Sequence, residues 1–251
     1  MPITIRVMWL PKAGNREDEY EDACWPDHAL TTAQPVVRCA VADGATESAF
    51  AGLWARQLVA AYGAGAAPAA DWPPALAQEQ ARWQAQVAAK ALPWYAEEKV
   101  RSGAFAALLG VTLFPERAGQ SREWQAQAVG DCALFQVRGG ALAATFPAAD
   151  AAFFTSRPFL ISSLPSQAAH LAEHTQRAGG VLHRGDVIYL VTDALGQWFL
   201  RRVEAGATPW VELEAALARR KRGFGRWIAG LRGGGHLRND DITLLRIAWT
   251  E

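Results

Sequence analysis

Apolar and β-branched residues come in short blocks along this chain, separated by polar and Gly/Pro-bearing stretches. "ITIRVMWL" predicts an opening strand, and "PVVRCAVADG" a second one that ends at Asp43-Gly44. From Glu47 to Tyr62 the apolar residues Phe50, Leu53, Trp54, Leu58 and Tyr62 recur at spacings of three and four, which predicts a helix. "GAGAAPAADWPP" reads as a loop. A helical pattern resumes from Ala75 to about Leu109, through "ALAQEQARWQAQVAAKA" and "AFAALLG", with breaks near Pro93 and Gly103. "GVTLFP", "REWQAQAVGD", "CALFQVRGG" and "ALAATF" predict successive short strands, the last two joined by a hairpin turn at "RGG". After the polar stretch "SRPFLISSLPSQ" come a short helix in "AAHLAEHTQRAG", a strand in "DVIYLVTDA", a helix in "VELEAALARRKRGFGRWIAGL" and a closing strand in "DDITLLRIAW".

Long helices beside a run of hairpin-linked strands imply an α+β protein built on antiparallel sheet, not an alternating parallel βαβ fold. No internal repeat or linker interrupts the 251 residues, so one domain spanning 1–251 is expected.

Composition narrows the function classes. Lys plus Arg equals Asp plus Glu at 25 each, so no global charge draws the chain to nucleic acid or an anionic membrane. The cysteines Cys24, Cys39 and Cys132 are odd in number and widely spaced, which forms neither a disulfide framework nor a zinc-finger pattern. A reducing, cytoplasmic setting is expected, since no apolar run approaches a membrane span and the first residues lack a signal-peptide core. The Ala-, Arg- and Trp-rich usage suits a bacterium with GC-rich DNA.

The chemistry-bearing pattern is the placing of acids beside strand ends. Asp43 follows "VVRCAVA", Asp131 follows "QAQAVG", Asp193 ends "VIYLVT", Asp240 and Asp241 open "ITLLRI", and Glu21-Asp22 lies between the first two strands. Singly, each is a turn former, as Asp-Gly commonly is. Converging carboxylates, however, repel unless a cation is bound, and hard oxygen donors suit Mg²⁺ or Mn²⁺. Two such ions about 3.5–4 Å apart can activate water for an in-line displacement at phosphorus.

Six segments in order, "EDA", "VADG", "SGAFAALLGVTL", "AVGDCALFQVRGG", "GDVIYLVTDAL" and "DDITLLRI", resemble the successive motifs of the protein phosphatase 2C (PPM) family of metal-dependent phosphatases. The resemblance runs from Glu21 to Ile247. It implies a four-layer αββα sandwich, two antiparallel sheets flanked by helices, with a binuclear Mg or Mn site at one end. It further implies that Asp43 bridges the two metals and Gly44 offers its backbone carbonyl. Glu21 matches the glutamate near one metal and Asp22 its water-mediated neighbour, Asp193 and Asp240 match the aspartates of the other metal, and Asp131 matches the aspartate of the "GDS" motif. Arg16 matches the arginine that grips substrate phosphate, one residue farther from the "ED" pair than is usual; a guanidinium can bind two of its oxygens. The implied activity is hydrolysis of phosphoserine and phosphothreonine in proteins, opposite a serine/threonine kinase.

Departures from the pattern carry the alternative. Ala45 stands where eukaryotic-type members place a histidine acid after "DG", Ala194 replaces the usual glycine, and Gln197 replaces an aspartate that supports a third ion. The segment usual after the hairpin strands is not recognisable in "FPAADAAFFTSRPFL". A pseudophosphatase that binds a phosphoprotein or kinase is the second reading. Elsewhere, "HLAEH" matches the HxxEH zinc pattern but lacks that family's distant glutamate and framework, so a solvated helix face is the better reading. The stretch Arg219 to Arg238 carries seven Lys or Arg and no acid. It reads as a solvated face and a Gly-rich loop ahead of an acidic or nucleic-acid docking site.

Overall fold

Two antiparallel sheets of six strands each pack face to face in the computed structural model, which describes residues 2–65, 72–90, 99–117, 121–154 and 157–249. The first sheet contains β1 (Ile3–Leu10), β3 (Leu30–Thr32), β7 (Ala133–Arg138), β8 (Ala141–Phe146), β11 (Val187–Val191) and β12 (Ile242–Trp249), in the order β3-β1-β12-β11-β7-β8. The second contains β2 (Ala23–Trp25), β4 (Val37–Gly44), β5 (Phe105–Arg117), β6 (Ser121–Val129) and β10 (Gln176–His183), in the order β10-β6-β5-β4-β2, with β9 (Ile161–Ser162) pairing on β5.

Period-two alternation explains the layers. On β4 the odd residues Val37, Cys39 and Val41 join Leu109 and Val111 of β5 and face Ile3, Ile5, Leu190, Leu245 and Ile247 of the other sheet, forming the core between sheets. The even residues Ala40 and Ala42 turn outward beneath α1 (Ala51–Gly63) and α2 (Trp72–Ala88), where Trp54, Leu58, Tyr62 and Trp83 are buried. On the far side, Phe135, Tyr189 and Val191 meet α4 (Asp193–Glu204), α5 (Pro209–Ala218) and α6 (Arg220–Gly233). The result is the αββα sandwich that the motifs imply. Close approach of α1 to its sheet depends on Gly110, where a Cβ would stand 2.2 Å from the Tyr62 ring.

Several elements differ from expectation. "AFAALLG" belongs to β5, not to a helix, because it pairs on both sides, with β4 and β6. In "AAHLAEHTQRAG" only the four-residue α3 (Leu171–His174) is helical; from Gln176 the chain pairs with β6 as an edge strand containing Gly179 and Gly180. α1 begins at Ala51, four residues after the predicted start, since Phe50 takes a left-handed conformation. The long C-terminal helix is two helices, broken where Arg220 has φ of 59°. α4, β2, β3 and β9 are additional elements. The expected break at Pro93 and residues 66–71 of the "GAGAAPAADWPP" stretch lie outside the described residues, and the last three residues of that stretch are helical, since α2 begins at Trp72 and not at Ala75.

Candidate active site

The acids gather at one end of the sandwich because strand ends and turns from both sheets meet there. Asp43 continues the inward row of Cys39 and Val41, one residue before β4 ends. Gly44 follows beside the Glu21 backbone, too close for any Cβ: the nearest atom, the Glu21 carbonyl oxygen, would be 2.6 Å away. Asp131 leaves the β6–β7 turn after Gly130, whose φ of 93° and contact with Ala107 both favour glycine. Asp193 opens α4, where the helix dipole favours a carboxylate. Asp240 lies just before β12.

Asp22 is held most completely. It is 2 % exposed and accepts hydrogen bonds from the hydroxyls of Thr243 (2.7 Å) and Thr192 (3.0 Å). The Thr243 hydroxyl also meets Tyr20 Oη. Asp241 organises the opposite rim, accepting from the backbone N–H groups of Lys12 and Glu21, both at 2.8 Å.

Electrostatics mark these acids as one cluster. Burial first, then repulsion from Asp22, Asp193, Asp131 and Asp240, pushes the Asp43 carboxyl well above its ordinary range. Asp22 is likewise raised by burial and by Asp241 and Asp193, with its two threonine partners pulling the other way. Asp131 is pushed up to about 7 by burial and Asp193. Glu21 is raised by burial, offset by Thr46 and Lys12. Asp193 is raised by burial despite an opposing guanidinium, that of Arg238. Arg238 donates to Asp193 Oδ2 and lies 3.3 Å from Asp240 Oδ2. Asp193 Oδ1 is buried without a partner.

Arg16 is placed differently from these acids. Its guanidinium pairs with Asp18 at 2.9 Å on an exposed turn, and its side chain is 76 % exposed. The cation that acts on Glu21 is instead Lys12, whose Nζ donates to Thr46 Oγ1 at 3.2 Å. Lys12, Thr46, Glu21 and Arg56 line a cleft of 390 Å³. In "HLAEH", His170 pairs with Glu173 at 3.4 Å and His174 stacks on Phe159 with centroids 3.9 Å apart. The basic stretch is only partly a solvated face. Arg232 donates to the Pro11 and Asp240 carbonyls, Arg238 enters the acid cluster, and Phe224 is fully buried.

No protein-family model matches this chain, and no curated protein matches it. Solved structures do match. The serine/threonine phosphatase PstP/Ppp of Mycobacterium tuberculosis is 16 % identical over 100 % of both chains, with a TM-score of 0.61. A PstP catalytic domain in complex with two manganese ions is 18 % identical over 99 % of this chain and 100 % of its own, with a TM-score of 0.55. The PPM Ser-Thr phosphatase MsPP of Mycobacterium smegmatis gives 16 % identity over 97 % of both chains and a TM-score of 0.51.

The chain has the PPM phosphatase fold. In this PPM fold the acid end brings together Glu21, Asp22, Asp43, Gly44, Asp131, Asp193 and Asp240, the residues at which the sequence motifs pointed. Among the described residues no group of three or more His, Cys, Asp or Glu side chains is arranged as a metal-holding set. The donor chemistry nevertheless fits a hard divalent cation: the side-chain donors are all carboxylates, and Asp193 Oδ1 is buried with a free lone pair. Sequence reasoning did not single out Arg238, Lys12, Thr192 or Thr243. The threonines had a signal, each sitting within three residues of an acid in "TDAL" and "DDIT".

Proposed function

We propose that this chain, as one PPM-type domain, is a metal-dependent serine/threonine phosphoprotein phosphatase. The observation that carries the reading is the convergence of Asp43, Asp131, Asp193 and Asp240 at one end of a sandwich shared with PPM phosphatases. Two Mg²⁺ or Mn²⁺ ions would be held by Asp43, the Gly44 carbonyl, Glu21 and Asp22 on one side and by Asp43, Asp193 and Asp240 on the other. Asp131 stands beside them, and a third ion lacks the aspartate that Gln197 replaces. Bound there, the ions would supply an activated water and neutralise phosphate charge.

The chain's own residues divide the remaining work. Asp43, half-buried among acids, would fix the centre; Thr192 and Thr243 orient Asp22. Arg16, the family-like phosphate ligand, would have to leave Asp18 to reach the substrate, whereas Lys12 and Arg56 already line the adjoining cleft. Those two cations would bind the phosphate of a phosphorylated protein. Ala45 offers no proton to the departing serine or threonine oxygen, so solvent supplies it, at some cost in rate. A serine/threonine kinase acting on the same proteins in the cytoplasm is the implied partner.

A second reading, a pseudophosphatase that binds phosphoproteins or a kinase, is favoured by Arg238, which ties up Asp193 and Asp240. Hydrolysis of p-nitrophenyl phosphate and a phosphothreonine peptide with Mn²⁺ separates the two. The enzyme reading expects metal-dependent turnover that falls by roughly 100-fold or more in Asp43→Asn and Asp193→Asn. Wild-type turnover no higher than that of those variants would leave the binding module.

A further inference from the structure

We propose that Arg238 is a built-in counter-ion of the acidic centre: it holds Asp193 and Asp240 together in the metal-free protein and yields them when a divalent cation binds. It thereby sets how tightly that cation is held. The inference rests on the functional reading above for the cation, and on the structure for the arginine.

Three observations support it. Arg238 bridges two carboxylates from separate elements, Asp193 at the start of α4 and Asp240 before β12, and its charge is also felt at Asp43 and Asp131. The other cations on this rim act on its outer acids: Lys12 is directed at Glu21 and Thr46, and Arg232, which grips backbone carbonyls, extends its charge to Asp240 and Asp241. Without Arg238, the repulsion among Asp43, Asp131 and Asp193 would therefore lose its counter-charge in the absence of metal. The contact is also incomplete and open. It engages Asp193 Oδ2 while Oδ1 stays unpaired, and the Arg238 side chain is 40 % exposed, so the guanidinium has a route into water.

A guanidinium held on Asp193 Oδ2 and beside Asp240 Oδ2 places a positive charge next to the position a divalent cation would take on the same carboxylates. Docking of Arg238 and binding of the cation therefore oppose each other electrostatically. The apparent metal affinity is lowered by the fraction of molecules in which Arg238 is docked.

The test compares wild type, Arg238→Gln and Arg238→Lys by calorimetric Mn²⁺ titration and by melting in EDTA and in Mn²⁺. Arg238→Gln should melt lower than wild type in EDTA, bind Mn²⁺ about 10-fold more tightly, and show a larger Mn²⁺-induced rise in melting temperature. Arg238→Lys, which keeps the charge but loses the planar fork, should fall between them. Equal or weaker Mn²⁺ binding by a folded Arg238→Gln would overturn the inference while leaving the phosphatase reading intact. Absence of Mn²⁺ binding in both proteins would overturn the metal site and the inference with it. A measurement on the unmutated protein covers the case in which the glutamine variant does not fold: the guanidinium resonances of Arg238 should shift, and exchange with water faster, on adding Mg²⁺. Resonances that stay unchanged at saturating Mg²⁺ would also overturn it.

Discussion

A Cβ at position 44 would stand 2.6 Å from the carbonyl oxygen of Glu21, and 3.0 Å from the backbone carbonyl carbon of Ala51. Neither neighbour is a flexible side-chain tip, so a larger residue must move main chain. Gly44→Ala is expected to cost on the order of 1–3 kcal/mol of stability. It should also weaken Mn²⁺ binding, because the residue displaced is one of the acids of the centre. Urea unfolding and calorimetric titration check the two effects.

Asp22 depends on two hydroxyls for its ionised form. Thr243→Val or Thr192→Val removes a donor from a carboxylate that is 2 % exposed. Thr192→Val also strips the acceptor from the Thr243 backbone N–H. Each should cost roughly 1–3 kcal/mol in urea unfolding at pH 7 and raise the Asp22 carboxyl further. Serine at either position keeps the hydroxyl and should recover most of the loss.

Stability of the metal-free protein should depend on pH with a sign set by the raised carboxyls. Asp131 holds its proton up to about 7 in the fold, pushed there by burial and Asp193, while an unfolded aspartate ionises near pH ~3.9. Between those values the folded chain binds more protons than the unfolded one, so stability falls as pH rises from about 4 to 7. Asp186 works in the opposite direction. Burial alone would raise it, but Arg138, the His183 backbone N–H and Gln136 hold it below the ordinary value. Its contribution is present above the unfolded value and lost as pH falls through the lower folded one. Urea midpoints measured in EDTA should therefore decline from pH 4 toward 7, and Asp131→Asn should flatten that decline.

How α1 rests on its sheet can be tested at Gly110. A Cβ there would meet the Tyr62 ring at 2.2 Å, so Gly110→Ala should destabilise by about 1–3 kcal/mol. Because the obstruction is a side chain, the cost should shrink when Tyr62→Ala is already present. A double-mutant cycle by urea unfolding measures the coupling.

The parts legible in the sequence were those where one local signal sufficed. Alternation around Cys39 and Val41, the "RGG" hairpin and the apolar run of β12 each fixed an element. The acids were legible through their motif order, although each is an ordinary turn residue by itself. "AFAALLG" misled because an alanine- and leucine-rich run fits a helix equally well; only pairing to β4 and β6 makes it a strand. Gly179 and Gly180 hid an edge strand for the related reason that glycine carries no strand preference. Arg238 was read within a basic run, and nothing local distinguishes a solvated arginine from one that turns back onto Asp193. That distinction depends on α4 and β12 being brought together, a tertiary fact.

Asp22 precedes β2 in one sheet, while the hydroxyls it accepts from belong to Thr192 and Thr243, at β11 and β12 in the other. The three residues act as a clasp across the sandwich seam. Neither sheet alone can assemble the acid centre, so a partly folded chain with one sheet formed could not hold the proposed cations. On the proposed metal site, cation uptake during refolding would report closure of the two sheets.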